Sequence, residues 1–280
     1  MMNIKLIATS FICLCFCAMG IAQKSEKIKG SRNVTTKQTE IGAFHTIALD
    51  EDFEVEIIYN KTPSIEIETD DNLHEVIKFE VKDSVLTFDK TMRIISKKRL
   101  NIRVSYNNIF RHIKTTDNAE INSLTTVDIK NGTLNTQGSS NVALTITTNN
   151  FNFEASEKSK VKLNLTANDC TVNMFGISKL EALINAPEFK ATMFQRADAN
   201  IEGVSKTANI DLDNNARFNG KNFTINDCTV VCEINSDAYL EVLDNITIDA
   251  AGSSSIYLYE NPKILINRLT DTSKLQKKVK

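Results

Sequence analysis

Few residues in this 280-residue chain have types and spacings that could do chemistry. The pentapeptide NDCTV occurs at 168–172 and again at 226–230, and the copies carry Cys170 and Cys228, with Cys232 close behind. Matched thiols suit a disulfide, a redox pair or half of a metal site, provided the fold brings their Cα atoms within about 7 Å. The three histidines, His45, His74 and His112, have no second His or Cys at metal-ligand spacing. No nucleophile elbow, phosphate loop or HExxH motif is present in the sequence. Carboxylates are the serious enzymatic option, because cleavage of a polysaccharide needs acids about 5–10 Å apart on one solvent-facing surface. Asp211 and Asp213 flank Leu212 and therefore point outward together from one strand. Asp169, Asp198 and Asp227 fall in polar turns, where Asp is favoured for its own backbone hydrogen bonds. The Asp- and Asn-rich stretch 213–227 has Thr224 where a calcium loop requires its twelfth-position carboxylate. No catalytic, cofactor-binding or metal-ligating residue is assigned on this basis.

The elements that position these residues form a repeat. From residue 119 a small residue recurs two places before an apolar one that opens an alternating run: Ala119, Ser140, Ser159, Ser178, Ala197, Ala216, Ala238 and Ser254. Successive anchors lie 21, 19, 19, 19, 19, 22 and 16 residues apart. Within a unit, Val142, Leu144 and Ile146 share one face, a polar turn follows, and Phe151, Phe153 and Ala155 share the next. Each unit thus reads as two short strands and two polar corners. Such a unit cannot bury its apolar face alone, but stacking buries the inward rows continuously. The expected fold is all-β: a β-solenoid of about 19-residue, two-stranded coils, with small residues at one tight corner. In that solenoid the NDCTV copies lie about three coils, or roughly 14 Å, apart. Cys170, Cys228 and Cys232 are therefore expected to be free, buried and apolar in behaviour. Counted back from Ser178 and Ala238, the residue equivalent to Cys170 is Val230, so the two copies are expected to be non-equivalent.

The ends differ from the repeats. Residues 1–22 read as a secretory signal: Lys5, the apolar run 6–20, and a cleavage point after Ala22. A rival reading lipidates Cys17, against which bulky Phe16 stands where a small residue is expected. Without the leader the chain carries 32 Lys and Arg against 35 Asp and Glu, a balance that argues against nucleic acid or an anionic membrane as main partner. No other apolar run approaches the ~20 residues of a membrane span. Residues 23–40, polar and without a period, read as loose. Residues 41–110 carry longer alternating strands and a short helix within 71–79, and read as an N-terminal β cap with the first coils. The repeats occupy 111–270, and the basic tail 271–280 either blunts the far edge or is disordered.

Three features in this order resemble one family: a signal ending in AQ, the segment IGAFHTIALDEDFEVEIIYNKTPSIEIETDDNLHEVIKFEVKDSVLTF (41–88), and LNIRVSYNNIFRHIKTTDNAEI (100–121) leading into the 19-residue repeats. The chain is similar to the autotransporter-adhesin head GIN domain family of Bacteroidetes. That resemblance implies a right-handed β-helix, a cell-adhesion role, a fold like that of pectin lyases without their catalytic residues, and a trimer. The glycine-rich corners of the family are here replaced by sequences such as SEKS (156–159) and QRAD (195–198), with only GSSS (252–255) staying close. The expected function is that of an exported, non-enzymatic solenoid in the periplasm or at the cell surface. It would present polar sheet faces to a glycan or protein partner. The alternative is a carbohydrate-active enzyme using Asp211 and Asp213.

Overall fold

The computed structural model describes residues 26–280; the leader, its cleavage point and Cys17 lie outside the described residues. The repeat builds two walls of parallel strands facing each other across one core. After β3 (Thr46–Leu49), wall B continues with β10 (His112–Thr115), β13 (Asn131–Thr136), β15 (Asn150–Ala155), β17 (Asp169–Met174) and β19 (Glu188–Phe194). After β4 (Glu54–Tyr59), wall A continues with β11 (Glu120–Ser123), β14 (Asn141–Thr147), β16 (Lys160–Thr166) and β18 (Lys179–Asn185), and the short β12 (Val127–Asp128) lies beside the end of β14. The next three strands, β20 (Asp198–Asp213), β21 (Arg217–Cys232) and β22 (Asp237–Ala250), run through the second corner and serve both walls. The stack ends with β23 (Ser255–Tyr259) and β25 (Lys274–Lys277) on wall A and β24 (Lys263–Leu269) on wall B. This is the expected all-β solenoid.

Register makes the core a set of rows. One runs Phe151, Cys170, Phe189, Ala208, Cys228, Ile246 along wall B; another runs Val142, Val161, Leu180, Ala199, Phe218, Ala238, Ile256 along wall A. All are buried. Where Ala199 and Ala208 leave room, Phe189, Phe218 and Phe223 pack against one another, with ring centroids 5.1 Å apart for Phe189 and Phe223. Large and small residues thus trade volume between layers, as close packing demands.

Each tight corner places one or two residues at positive φ: Asp117, Gly138, Glu157, Gly176, Gln195, Asn214 with Asn215, Ile234 with Asn235, Gly252 and Asp271. The layers meet closely there, and a Cβ on Gly138 would lie 2.5 Å from the Asp117 nitrogen. The small residue after each corner is buried: Ala119, Ser140, Ser159, Ser178, Ala197, Ala216, Ser236 and Ser254. Ser236 precedes Asp237, which pairs with Arg217, and is therefore the corner residue rather than Ala238, which aligns with the inward Phe218. Strand β21 carries one extra residue between Asn219 and Asn222, opposite Asn200 and Glu202, and this bulge hid the spacing.

That shift corrects the reading of the cysteines. Cys170 and Cys228 lie in the same row, three layers apart, so the NDCTV copies are equivalent repeats and Val230 is not the partner of Cys170. All three cysteines are free and buried, as expected.

The N-terminal end is built by the chain doubling back. After β4 it forms β5 (Ser64–Asp70), a single 3-10 turn at Asp71–Leu73, the hairpin β6 (Ile77–Lys82) and β7 (Val85–Lys90), a short β8 (Arg93–Ser96), and β9 (Leu100–Tyr106). The helix expected within 71–79 is only this turn, because β6 takes over from Ile77. Strand β7 stacks on β3 and β9 on β4, both parallel, while β6 and β5 close the two walls in antiparallel fashion.

Residues 26–40 are not loose: β1 (Lys27–Lys29) pairs with β8, and β2 (Val34–Glu40) pairs along its whole length with β5. Side chains lock this edge. Asn33 Nδ2 donates to Asp71 at 2.9 Å, Asn72 Nδ2 donates to the Lys29 carbonyl at 2.9 Å, and buried Asp70 accepts from the Lys98 N–H at 3.1 Å.

Candidate interaction face

The outward residues also form columns. On wall A one column runs Asn122, Ala143, Lys162, Glu181, Asn200, Asn219, Tyr239, Tyr257, and beside it runs Thr145, Asn164, Leu183, Glu202. Small Ala143 and the short reach of Ser123, whose Oγ accepts the Thr145 N–H at 2.9 Å, leave the wall sunken there. The result is an open, shallow depression of about 540 Å³ with a floor of Leu163, Ala182 and Leu183. Polar side chains rim it: Lys162 and Glu181 form an exposed ion pair at 3.6 Å, joined by Asn164, Asn200 and Glu202. A smaller depression of about 190 Å³ adjoins it, where Lys160 and Lys179 stack in register on neighbouring strands. Stacked like charges repel, so this spot suits a carboxylate or another anionic group.

Farther along the first column, Tyr239 and Tyr257 stack with centroids 4.4 Å apart. Arg217 covers the free face of Tyr239 and Lys278 that of Tyr257, at 5.3 and 4.9 Å. Both ring faces are occupied within the chain, so the pair is a built-in stack and not a platform for a sugar ring.

The residues singled out in the sequence are dispersed. Cys170, Cys228 and Cys232 point into the core, where burial pushes each thiol up to about 12, far from the thiolate that redox or metal chemistry requires. His45, His74 and His112 stay within the cap and first coils and bond to Thr46, Thr35 and Asn135 respectively. Asp169 stacks on Asn150 and Glu188, Asp198 on Lys179 and Arg217, and Asp227 on Thr207 and Asn245, as rungs of polar ladders.

Asp211 and Asp213 do project together, beside Glu233. Desolvation, and then the charges of Glu233 and Asp213, raise the Asp211 carboxyl above its ordinary range. Arg268, from the last wall B strand, donates to both Glu233 and Asp249. Glu233 and Asp249 thus tie β24 to the layers before it, whereas Asp211 and Asp213 stand beside this pairing and border no part of the wall A depression. Among the described residues, no three His, Cys, Asp or Glu side chains converge in a way that could hold a metal ion. No helix among them is long and apolar enough to cross a membrane.

The wall A depression was missed in the sequence because its signal is an absence of bulk at Ala143 and Ala182, which lie on strands two layers apart and which only stacking brings to one face.

Solved structures repeat this architecture. A putative adhesin from Parabacteroides distasonis matches with a TM-score of 0.68 at 16% identity, over 90% of this chain and 100% of that one. One from Parabacteroides merdae matches with a TM-score of 0.65 at 16% identity, covering 90% and 99%. A putative lipid binding protein from P. distasonis matches with a TM-score of 0.58 at 15% identity, covering 90% and 99%. No protein of curated function matches the chain. One family model matches twice, over residues 43–184 and 164–262, and so spans the cap and nearly all the coils. On that match the chain belongs to the family described as "putative auto-transporter adhesin, head GIN domain".

Proposed function

We propose that this is an exported, non-enzymatic adhesion module that engages a glycan or protein partner of the cell envelope through the outer face of wall A. The observation that carries the reading is the open, polar-rimmed depression around Lys162, Asn164, Asn200 and Glu202. It offers donors and acceptors on a rigid ladder, a small apolar floor, and no buried acid pair. A broad contact of this kind gains affinity from many modest hydrogen bonds and suits multivalent adhesion. Burial of the three cysteines and dispersal of the histidines support a binding role over a catalytic one.

The test is a glycan and envelope-protein array probed with purified mature protein, alongside a triple Lys162→Ala, Asn164→Ala, Asn200→Ala variant. Binding without turnover, reduced at least tenfold in the variant, is the expected result. Depolymerisation of any polysaccharide, lost in an Asp211→Asn, Asp213→Asn variant, would replace this reading with the enzymatic one. Surface labelling and fractionation of the producing cell test export.

A further inference from the structure

Charge on the middle of wall A changes along the strands. The first outward column runs Asn141, Lys160, Lys179, Asp198 and Arg217, three cations against one acid. Lys160 and Lys179 are exposed, and neither forms an ion pair among the described residues. Asn141 donates to Glu120 at 3.2 Å and keeps that acid engaged. Two residues further along the strands, Lys162 and Glu181 cancel each other. Two further still, Thr145, Asn164, Leu183 and Glu202 carry a single negative charge. The face thus turns from cationic to neutral to anionic over four residues, about 13 Å of extended strand.

The strands under this face are fully paired. Strand β14 pairs with β11 and β16, β16 with β14 and β18, and β18 with β16 and β20. No backbone edge is therefore open here to an extended peptide, and recognition has to go through side chains. Those side chains mix donors and acceptors, Lys162, Asn164 and Asn200 with Glu181 and Glu202, around Leu183, which is 42% exposed. A hydroxyl both donates and accepts, so a sugar ring satisfies this rim while its C–H face covers the leucine. A chain with a charge on every unit, whether nucleic acid or fully sulfated glycan, would set an anion against Glu202.

We propose that wall A binds an acidic polysaccharide whose carboxylates are separated by neutral sugars. A uronate carboxylate would lie between Lys160 and Lys179, and the neutral sugar beside it over Leu183, within reach of Asn164 and Glu202. Charge thereby narrows the glycan or protein partner of the contact face to one class of glycan, and the assignment rests on that face being the one used.

The probes are oligosaccharides in which glucuronate, galacturonate or mannuronate alternates with a neutral sugar, each beside its carboxyl-reduced form and a fully sulfated form. They are titrated calorimetrically against the mature protein. The expected result is that at least one uronate series binds at least tenfold more tightly than its reduced and sulfated forms, and that binding weakens several-fold between 50 and 500 mM salt. Lys160→Gln with Lys179→Gln should remove that preference while leaving the unfolding midpoint unchanged or higher, since the two lysines repel each other. Lys160→Arg with Lys179→Arg should keep it, and Glu202→Gln should admit the sulfated form. No uronate binding at millimolar concentration, equal binding of the reduced form, an unaffected glutamine pair, or tighter binding of acidic peptides would each overturn the proposal. Neutral sugars held through Lys162, Asn164 and Asn200 but indifferent to the lysine pair would overturn it and leave the contact face standing. Binding that the triple Lys162→Ala, Asn164→Ala, Asn200→Ala variant does not change would overturn both.

Discussion

At the N-terminal end the inward rows finish beneath antiparallel strands: β5 and β2 close wall A, β6 closes wall B, and hydrogen bonds from Asn33, Asn72 and Lys98 fasten the lid. At the C-terminal end the same kinds of rows finish in water at Ile264, Ile266 and Leu269. One repeat therefore solves its edge problem in two ways. Chain reversal removes the first edge, whereas lysines only guard the second. Nearest-neighbour energetics in a solenoid make the consequence local: the last layer has one interface where every interior layer has two.

The largest expected effect follows from that asymmetry. Phe88 is buried in the cap, with ring centroids 5.5 Å from Phe53 and 6.2 Å from Phe79. Phe88→Ala should cost about 3–5 kcal/mol, read by denaturant unfolding and by amide exchange in β5–β9. Ile266→Ala, already half in water, should cost about 1 kcal/mol or less. Equal costs for the two changes would erase the distinction between a closed and an open end. Amide exchange is needed beside the unfolding curve because a stacked array can open from one end without unfolding as a unit.

A second effect, near 1 kcal/mol, concerns the corners that both ends share. Gln195 holds φ of 64°, a region that strains a residue with a Cβ by roughly 1–2 kcal/mol. Gln195→Gly should return about 1 kcal/mol net of the extra freedom glycine gains in the unfolded chain, raising the denaturation midpoint. Gly138→Ala should do the opposite and cost about 2 kcal/mol or more, since its Cβ would meet the Asp117 backbone at 2.5 Å. If both changes were neutral, the corners would not set the layer spacing, and the contrast between the ends would need another cause.

What the sequence made legible divides along the same line. Coils with a regular period announced themselves, because Val142, Leu144 and Ile146 must alternate with polar residues to be half buried. Register failed at one place, where a bulge in β21 between Asn219 and Asn222 added a residue and Ala238 took over the appearance of Ser236. Strand β2 was illegible for a different reason: VTTKQTE buries no face and is held by backbone pairing to β5, which leaves no hydrophobic period. The open end was invisible too, since Ile264 and Ile266 keep the two-residue spacing of their buried counterparts Ile246 and Ile248. Exposure there depends on the layer that is missing above them. The wall A depression needs neighbours from five strands and could not be read from any one segment.

The smallest effect separates the ends by acid. Burial lowers the affinity of His74 and His112 for a proton, and nearby lysines act in the same direction. A histidine whose folded value lies below its unfolded one, near 6.5, is fully stabilising above about pH 6.5. Its contribution is lost as pH falls through that value and on through the folded one, because the unfolded chain binds the proton first. His74 Nε2 lies 3.0 Å from Thr35 Oγ1 and 3.2 Å from its carbonyl, which joins the cap to β2, and His112 sits in β10. No histidine lies beyond residue 112. Lowering pH from 7 to 5 should therefore raise amide exchange a few-fold in β2 and β10 relative to β24, once the intrinsic pH dependence of exchange is divided out. A His74→Gln, His112→Gln variant should remove the difference. Equal loosening of β24 in the wild-type chain would show that acid acts through the carboxylates around Arg268 instead, and that the closed end has no acid sensitivity of its own.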